Sequence, residues 1–279
     1  MRLVPIIMAA WTCAASFVPA AAAGAPRPAG PWRTLEPGLE LAGLQLPGED
    51  SGPERTVVAL RVDPRRFELR LLCARAEKDH RARTPRAWCL ERGALAAINA
   101  GMYMTDGLTA CGLMRTATHV NNPSLGRDKA VLVADPADPA LPPAQILERD
   151  GPDFARLLKL YRTAAQNIRI VASRPVPHSV WTNPNGSWSQ AAVAQDDAGR
   201  ILLLYGGAPR NPGEFAAALL ALPLGLTRMI HTEGGPIAGL CVRAAGVDRE
   251  WAGGAEDKGG TGSGDAEPVP NVIGVFRRR

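Results

Sequence analysis

The run Thr56-Val57-Val58-Ala59-Leu60-Arg61-Val62, the break Asp63-Pro64-Arg65-Arg66 and the run Phe67-Glu68-Leu69-Arg70-Leu71-Leu72-Cys73 carry the first clear structural pattern in this chain. The first run is β-branched and apolar. The second alternates apolar and charged residues, as a strand with one wet face does. Asp-Pro between them is turn chemistry. The pattern predicts a hairpin.

Downstream, the same signals recur. Trp188 to Gln195 and Arg200 to Tyr205 predict a second hairpin, turning at Asp196-Asp197-Ala198-Gly199. Short apolar runs at Ala94 to Gly101, Ala130 to Ala134, Asn167 to Ala172, Arg228 to His231, Gly239 to Arg243 and Asn271 to Phe276 read as further strands. Helices are few. Thr84-Pro85 is a cap and a first-turn proline, and the helix it opens should stop at Gly93. Phe154, Leu157, Leu158 and Tyr161 share one helical face, as do Phe215, Ala218, Leu219 and Leu222. The latter helix has Asn211 as cap, Pro212 at its first position and Glu214 three residues after the cap.

The expected class is therefore α+β: one domain over residues 55–279, built on a large mixed, mainly antiparallel sheet with a few packed helices. Residues 24–54 read as a linker and N-terminal segment, rich in Pro, Gly and Ala at the start. Residues 252 to 268 are Gly-rich and predict a mobile loop.

Residues 1–23 predict a cleaved signal peptide, with Arg2, an uncharged apolar run from Leu3 to Val18, and Ala21-Ala22-Ala23 before the cut. The run is interrupted by Pro5 and Pro19 and is short for a bilayer span of about 20 residues. The expected location is periplasmic or secreted, with no membrane span. The net charge of +5 is spread along the chain, without the basic stripe and aromatics of a nucleic-acid binder. Four of the five cysteines, Cys73, Cys89, Cys111 and Cys241, follow the signal, and none form a Cys-x-x-Cys pair. In an oxidising compartment these four could make two bridges in three possible pairings, of which Cys73 with Cys89 is preferred; the competing reading is that some are simply small buried apolar residues.

Two segments could carry chemistry. Ile98-Asn99-Ala100-Gly101-Met102-Tyr103 ends an apolar strand on an amide side chain, with Tyr103 and Asp106 close behind. An Asn that satisfies its own turn is the competing reading. His231-Thr232-Glu233-Gly234-Gly235-Pro236 delivers a carboxyl to a glycine turn, whose N–H groups can bind an anionic oxygen. A Glu of raised pKa there could protonate a leaving group; an ordinary surface turn is the alternative. Gln166, Asn167, Ser189 and Gln190 form a looser set. Arg115 or Arg169 could hold a phosphate bidentately, and Trp181 or Trp188 could stack on a sugar; a solvated surface charge for each Arg and a core position for each Trp are the competing readings. Nucleophile-elbow, P-loop and His-Glu-x-x-His patterns are absent, and the four histidines are not spaced as metal ligands.

At these segments the sequence resembles the phosphodiester glycosidase family, which includes the lysosomal uncovering enzyme acting on phosphodiester-linked N-acetylglucosamine. Three stretches carry the likeness in order: Ile98 to Tyr103 with Asp106 and Gly112-Leu113-Met114; Trp188 to Ala194 with Asp197; and Thr232-Glu233-Gly234-Gly235-Pro236. Trp188-Ser189-Gln190-Ala191-Ala192 and the Glu-Gly-Gly-Pro turn resemble a divergent bacterial branch most closely. The resemblance implies cleavage of a sugar-phosphate linkage in a glycan or glycoconjugate, with catalytic roles for Glu233, Asn99 and Asp106. Arg115, Arg169, Gly234, Gly235, Gln190, Trp188 and Tyr103 would bind a carbohydrate or sugar-phosphate. The family has Arg near Gln190, Asp at Glu233 and Ser at Ile237. Those departures leave a second expectation, a non-catalytic glycan-binding or envelope protein. No metal or other cofactor is expected; the resemblance leaves calcium open, and no ligand cluster in the sequence calls for it.

Overall fold

The computed structural model describes residues 32–47, 56–253 and 266–278. The signal and most of the Gly-rich 252–268 segment lie outside the described residues. In chain order the strands are β1 (Arg33–Glu36), β2 (Leu39–Gln45), β3 (Thr56–Val62), β4 (Phe67–Cys73), β5 (Ala96–Asn99), β6 (Met114–Arg115), β7 (Val120–Asn122), β8 (Ala130–Pro136), β9 (Ala144–Glu148), β10 (Tyr161–Ala172), β11 (His178–Ser179), β12 (Trp188–Asp196), β13 (Ile201–Arg210), β14 (Leu226–Gly234), β15 (Gly239–Ala244), β16 (Val247–Ala252) and β17 (Asn271–Arg277). The helices are α1 (Pro85–Arg92), α2 (Phe154–Leu160) and α3 (Pro212–Leu220).

The α+β expectation is corrected. Strand accounts for 49% of the structure and helix for 13%, so the fold is largely β. It also has two sheets rather than one. The larger runs β1-β2-β3-β13-β12-β14-β10-β6-β7, with β8 and β11 attached at β10 and β9 attached to β8, and the smaller runs β16-β15-β5-β17-β4. The helices are short because each covers only one patch of a sheet that already carries the backbone hydrogen bonding.

Side-chain alternation explains how the sheets stack. Val58, Leu60 and Val62 of β3 face one core together with Leu203 and Tyr205 of β13, Leu69 and Leu71 of β4, Ile98 of β5 and Ile273 of β17. The intervening residues Val57, Ala59, Leu202 and Leu204 face the opposite way, against Phe215 and Leu219 of α3. That double burial accounts for the unbroken apolar run of β13. On the far face of the smaller sheet, Trp88 and Cys89 of α1 pack on Ala97, Cys241 and Val272. A fourth cluster sits beneath α2, where Val131, Val133 and Leu147 meet Tyr161.

One adjacency differs from the hairpins the sequence suggested. β3 pairs with β2 and β13, whereas β4 pairs with β17. The Asp63 turn forms, with Arg66 and Phe67 N–H donating to the Asp63 carbonyl, but it carries the chain between sheets. Alternation is the reason: Phe67, Leu69 and Leu71 fill the space opposite β3 instead of lying beside it. Likewise β14 belongs to the larger sheet and β15 to the smaller, so the Gly234-Gly235-Pro236 turn is a second crossing. The β12–β13 hairpin forms as the sequence predicted. Residues 33–45, within the segment read as linker, form β1 and β2.

Candidate functional site

The second crossing brings the two candidate segments together. Asn99 ends β5, which pairs with β15 directly after the turn. Its Nδ2 donates to the Ile237 carbonyl at 2.8 Å, and its Oδ1 accepts the Gly239 N–H at 2.8 Å. The side chain is buried, with its amide spanning the exit of the turn. Both ends of the amide serve the backbone.

Glu233 stands two residues before Gly235, next to Ala191 of β12. Only 7% of it is exposed, and burial pushes its pKa up to about 7. The Gly234 N–H donates to its Oε1 at 3.0 Å, which opposes that rise without cancelling it. A half-protonated buried acid near neutral pH can give or take a proton. The strand positions it: β12 and β14 are bulged between Ala191 and Ala192, where His231 and Glu233 take consecutive partners on β12.

The turn needs its glycines. A Cβ on Gly234 would lie 2.2 Å from the Trp188 ring, which is laid against its backbone. Gly235 has φ +69°, left-handed backbone that side chains disfavour. Ser189 Oγ donates to the Gly235 carbonyl at 2.7 Å.

Tyr103 and Cys111 lie on the loop after β5. The Tyr103 phenol is raised first by burial and then by the negative charges of Glu233 and Glu267. Cys111 is raised by burial, then by Asp128 and Glu233. The loop therefore runs near Glu233. Asp106 accepts from Leu108 N–H at 2.9 Å, Thr109 N–H at 2.8 Å and Thr109 Oγ1 at 2.5 Å. Those bonds hold its carboxyl at about 2, ionised and committed to its own turn.

The remaining predicted residues lie elsewhere or face the framework. Arg115 donates to the carbonyls of Arg162 and Leu158, joining β6 to the end of α2. Arg169 is paired with Asp150 at 2.7 Å and Glu148 at 3.1 Å, on a cavity of about 480 Å³ also lined by Arg174, His178 and Arg228. Its neighbour across the ladder is Ile230, not Glu233. Gln190 is fully buried and donates to the Arg210 carbonyl at 2.8 Å; its Oε1 has no partner among the described residues. His231 is buried too, its Nδ1 also unpartnered, and burial pushes its pKa down to about 4. Asp197 lies at the turn of the β12–β13 hairpin, the opposite end of β12 from Trp188.

Sequence reasoning singled out Gln166 and Asn167 but passed over Asn121 and Asn122, which together with them hold the loop between β5 and β8. Asn121 accepts the Ala110 N–H at 2.7 Å and donates to Asn271 Oδ1 at 3.3 Å. Asn122 donates to the Ala110 carbonyl at 2.7 Å. Gln166 Oε1 accepts from Leu113 and Gly126, while its Nε2 donates to Gly126 and Asp128. Asn167 donates to the Ala100 carbonyl at 2.9 Å. Adjacent asparagines at 121 and 122, with no glycine beside them, were the available signal.

Among the described residues, no group of three or more His, Cys, Asp or Glu is placed to hold a metal ion, and no helix is long and apolar enough to cross a membrane.

No family model and no curated protein matches the sequence. Solved structures do. A hypothetical protein from Synechocystis aligns over 92% of this chain and 65% of its own, at 15% identity and TM-score 0.57, so the chain spans about two thirds of that protein. The catalytic domain of zebrafish N-acetylglucosamine-1-phosphodiester alpha-N-acetylglucosaminidase, auto-inhibited by its pro-peptide, aligns over 90% of this chain and 87% of its own, at 14% identity and TM-score 0.57. At these identities the relationship shown is one of fold, shared with a glycosidase catalytic domain.

Proposed function

We propose that this chain is an exported hydrolase that cleaves a sugar-phosphate linkage in a glycan or glycoconjugate, with Glu233 as its general acid. The observation that carries the reading is the Glu233 carboxyl: buried, raised to about 7, and set where the chain crosses between sheets beside the Tyr103 loop. In the protonated form it gives its proton to the leaving oxygen, and as carboxylate it takes one from the attacking water. Tyr103 and Trp188 form the sugar-facing surface. Asn99 acts as a positioning residue, because its amide fixes the turn rather than reaching outward. The fold shared with the zebrafish catalytic domain supports the same class of reaction.

A second reading, a non-catalytic glycan-binding or envelope protein, is favoured by one feature. The guanidinium groups of Arg115 and Arg169 are committed to framework carbonyls and carboxylates. Purified protein and Glu233→Gln, assayed on a panel of sugar-1-phosphate diesters and neutral glycosides, separate the two. The enzyme reading expects turnover that falls as pH rises through about 7 and is lost in the variant. Sugar binding with no turnover by either protein overturns it in favour of the second. Export is tested by N-terminal sequencing of the mature protein from cell fractions, with cleavage after residue 23 expected.

A further inference from the structure

Cys89 lies on α1 and Cys241 on β15, and the two approach to 4.0 Å. Both are fully buried in the layer between α1 and the smaller sheet. That layer is fastened on each side of them. A Cβ on Gly239 would lie 3.0 Å from Pro85, so the first turn of α1 sits directly on the β15 backbone. Glu250 on β16 accepts the Arg86 N–H at 2.7 Å. Trp88 Nε1 donates to the Val269 carbonyl at 3.1 Å. The helix therefore has one register against the strand, and it sets the two sulfurs facing each other.

The other cysteines are placed differently. Cys73 points into the core between the sheets, whereas Cys89 belongs to the layer on the far face of the smaller sheet. The preferred pairing of Cys73 with Cys89 is therefore blocked by the sheet itself. Cys111 is exposed on the loop after β5. Among the four described cysteines, only Cys89 and Cys241 are adjacent.

We propose that Cys89 and Cys241 are a cross-linking site, which closes to a disulfide when the chain folds in the presence of a disulfide-class oxidant, while Cys73 and Cys111 stay thiols. The exchange is balanced. One cysteine thiolate attacks the oxidant's disulfide and expels a thiolate; the second cysteine then attacks the mixed disulfide and releases the other half. The two cysteines lose two electrons and two protons, and the oxidant leaves as two thiols. Because neither sulfur is exposed in the fold, the exchange takes place before α1 docks, or when it opens. The link would join segments far apart in sequence, the case in which constraint of the unfolded chain is largest.

The test refolds the full chain in a glutathione redox buffer, with glutathione disulfide as oxidant. The chain has five cysteines, so thiol titration in denaturant should find three, and non-reduced peptide mapping should find Cys89 joined to Cys241. Reduction should lower Tm by roughly 5–15 °C. Cys89→Ser or Cys241→Ser should abolish the link, and the double variant Cys73→Ser/Cys111→Ser should keep it. Should the single variants fail to fold, the double variant still decides. Five free thiols after oxidative refolding, or a link through Cys73 or Cys111, would overturn the proposal.

Discussion

Asn99 Oδ1 accepts the Gly239 N–H at 2.8 Å, while the same amide donates to the carbonyl two residues earlier. One side chain thus spans the exit of the turn that follows Glu233. Asn99→Ala leaves a buried donor and a buried acceptor without partners, at a cost of about 2–5 kcal/mol. Asn99→Asp keeps the Gly239 bond but sets a carboxylate against the Ile237 carbonyl, so it should cost as much. Urea unfolding with an unchanged m-value checks both. A loss below about 1 kcal/mol in either variant would show that the turn holds itself.

Glu233 and His231, two residues apart on β14, titrate in opposite senses. Glu233 is raised from 4.5 to about 7 by burial, so the folded state binds the extra proton between those values. Its contribution is lost as pH rises through about 7, roughly 3 kcal/mol in all. His231 is lowered from 6.5 to about 4, so the folded state holds fewer protons there, and stability falls by a similar amount as pH drops through that window. The two slopes oppose each other between about pH 4.5 and 6.5. Glu233→Gln should therefore stabilise the protein at pH 8 and leave it unchanged at pH 4. Thermal unfolding across pH would contradict this if wild type and variant ran parallel.

Trp188 and Gly234 are coupled by contact. A Cβ at 234 would lie 2.2 Å from the indole, so Gly234→Ala must displace the ring or the strand, costing about 1–3 kcal/mol or more. In a Trp188→Ala background that clash is gone. A double-mutant cycle should then give a coupling energy of at least about 1 kcal/mol, with the glycine substitution cheaper in the truncated background. Additive effects would mean that the backbone, not the ring, limits position 234.

Gln166 makes four hydrogen bonds to the loop that carries Tyr103 towards Glu233 and back to β8. Gln166→Ala should remove amide-exchange protection at Leu113 and Gly126 while leaving that of β13 intact. If the reading of Glu233 as acid is right, turnover should fall with the loosened loop. Unchanged protection at those two amides would show that the loop is held from elsewhere.

Local chemistry was legible wherever it was self-contained. The helix from Pro85 is announced by its Thr84 cap, which accepts the Ala87 N–H, and stopped by Gly93 at φ +70°. Asn211 likewise caps α3, accepting from Gly213 N–H at 2.9 Å. The β12–β13 hairpin was readable because partner and turn are neighbours in sequence. Choice of sheet was not. β3 and β4 look like a hairpin, yet alternation is equally satisfied by facing each other across a core as by lying side by side. β6, β7 and β11 are two or three residues long, and β16 is half-buried or exposed with only Ala252 fully covered, so none shows a clear period. At the site, the Asn99 and Glu233 segments were each readable as candidates, but nothing local to either showed that they meet. Nor was it legible that the Asn99 amide is consumed by remote backbone, because hydrogen-bond partners 138 and 140 residues away leave no mark on the local pattern.

β17 comes after all the other strands in chain order, yet it lies inside the smaller sheet, bonded to β4 on one side and β5 on the other. Until residues 271–277 arrive, β4 and β5 each present an open row of amides and carbonyls, and α1 has only part of its floor. Assembly of this half of the molecule is therefore governed by long-range closure, a slow class of event. A ribosome or translocation channel still holding the last stretch of the fold keeps the nascent protein sticky and incomplete. A holding chaperone would find its natural purchase on those two waiting edges.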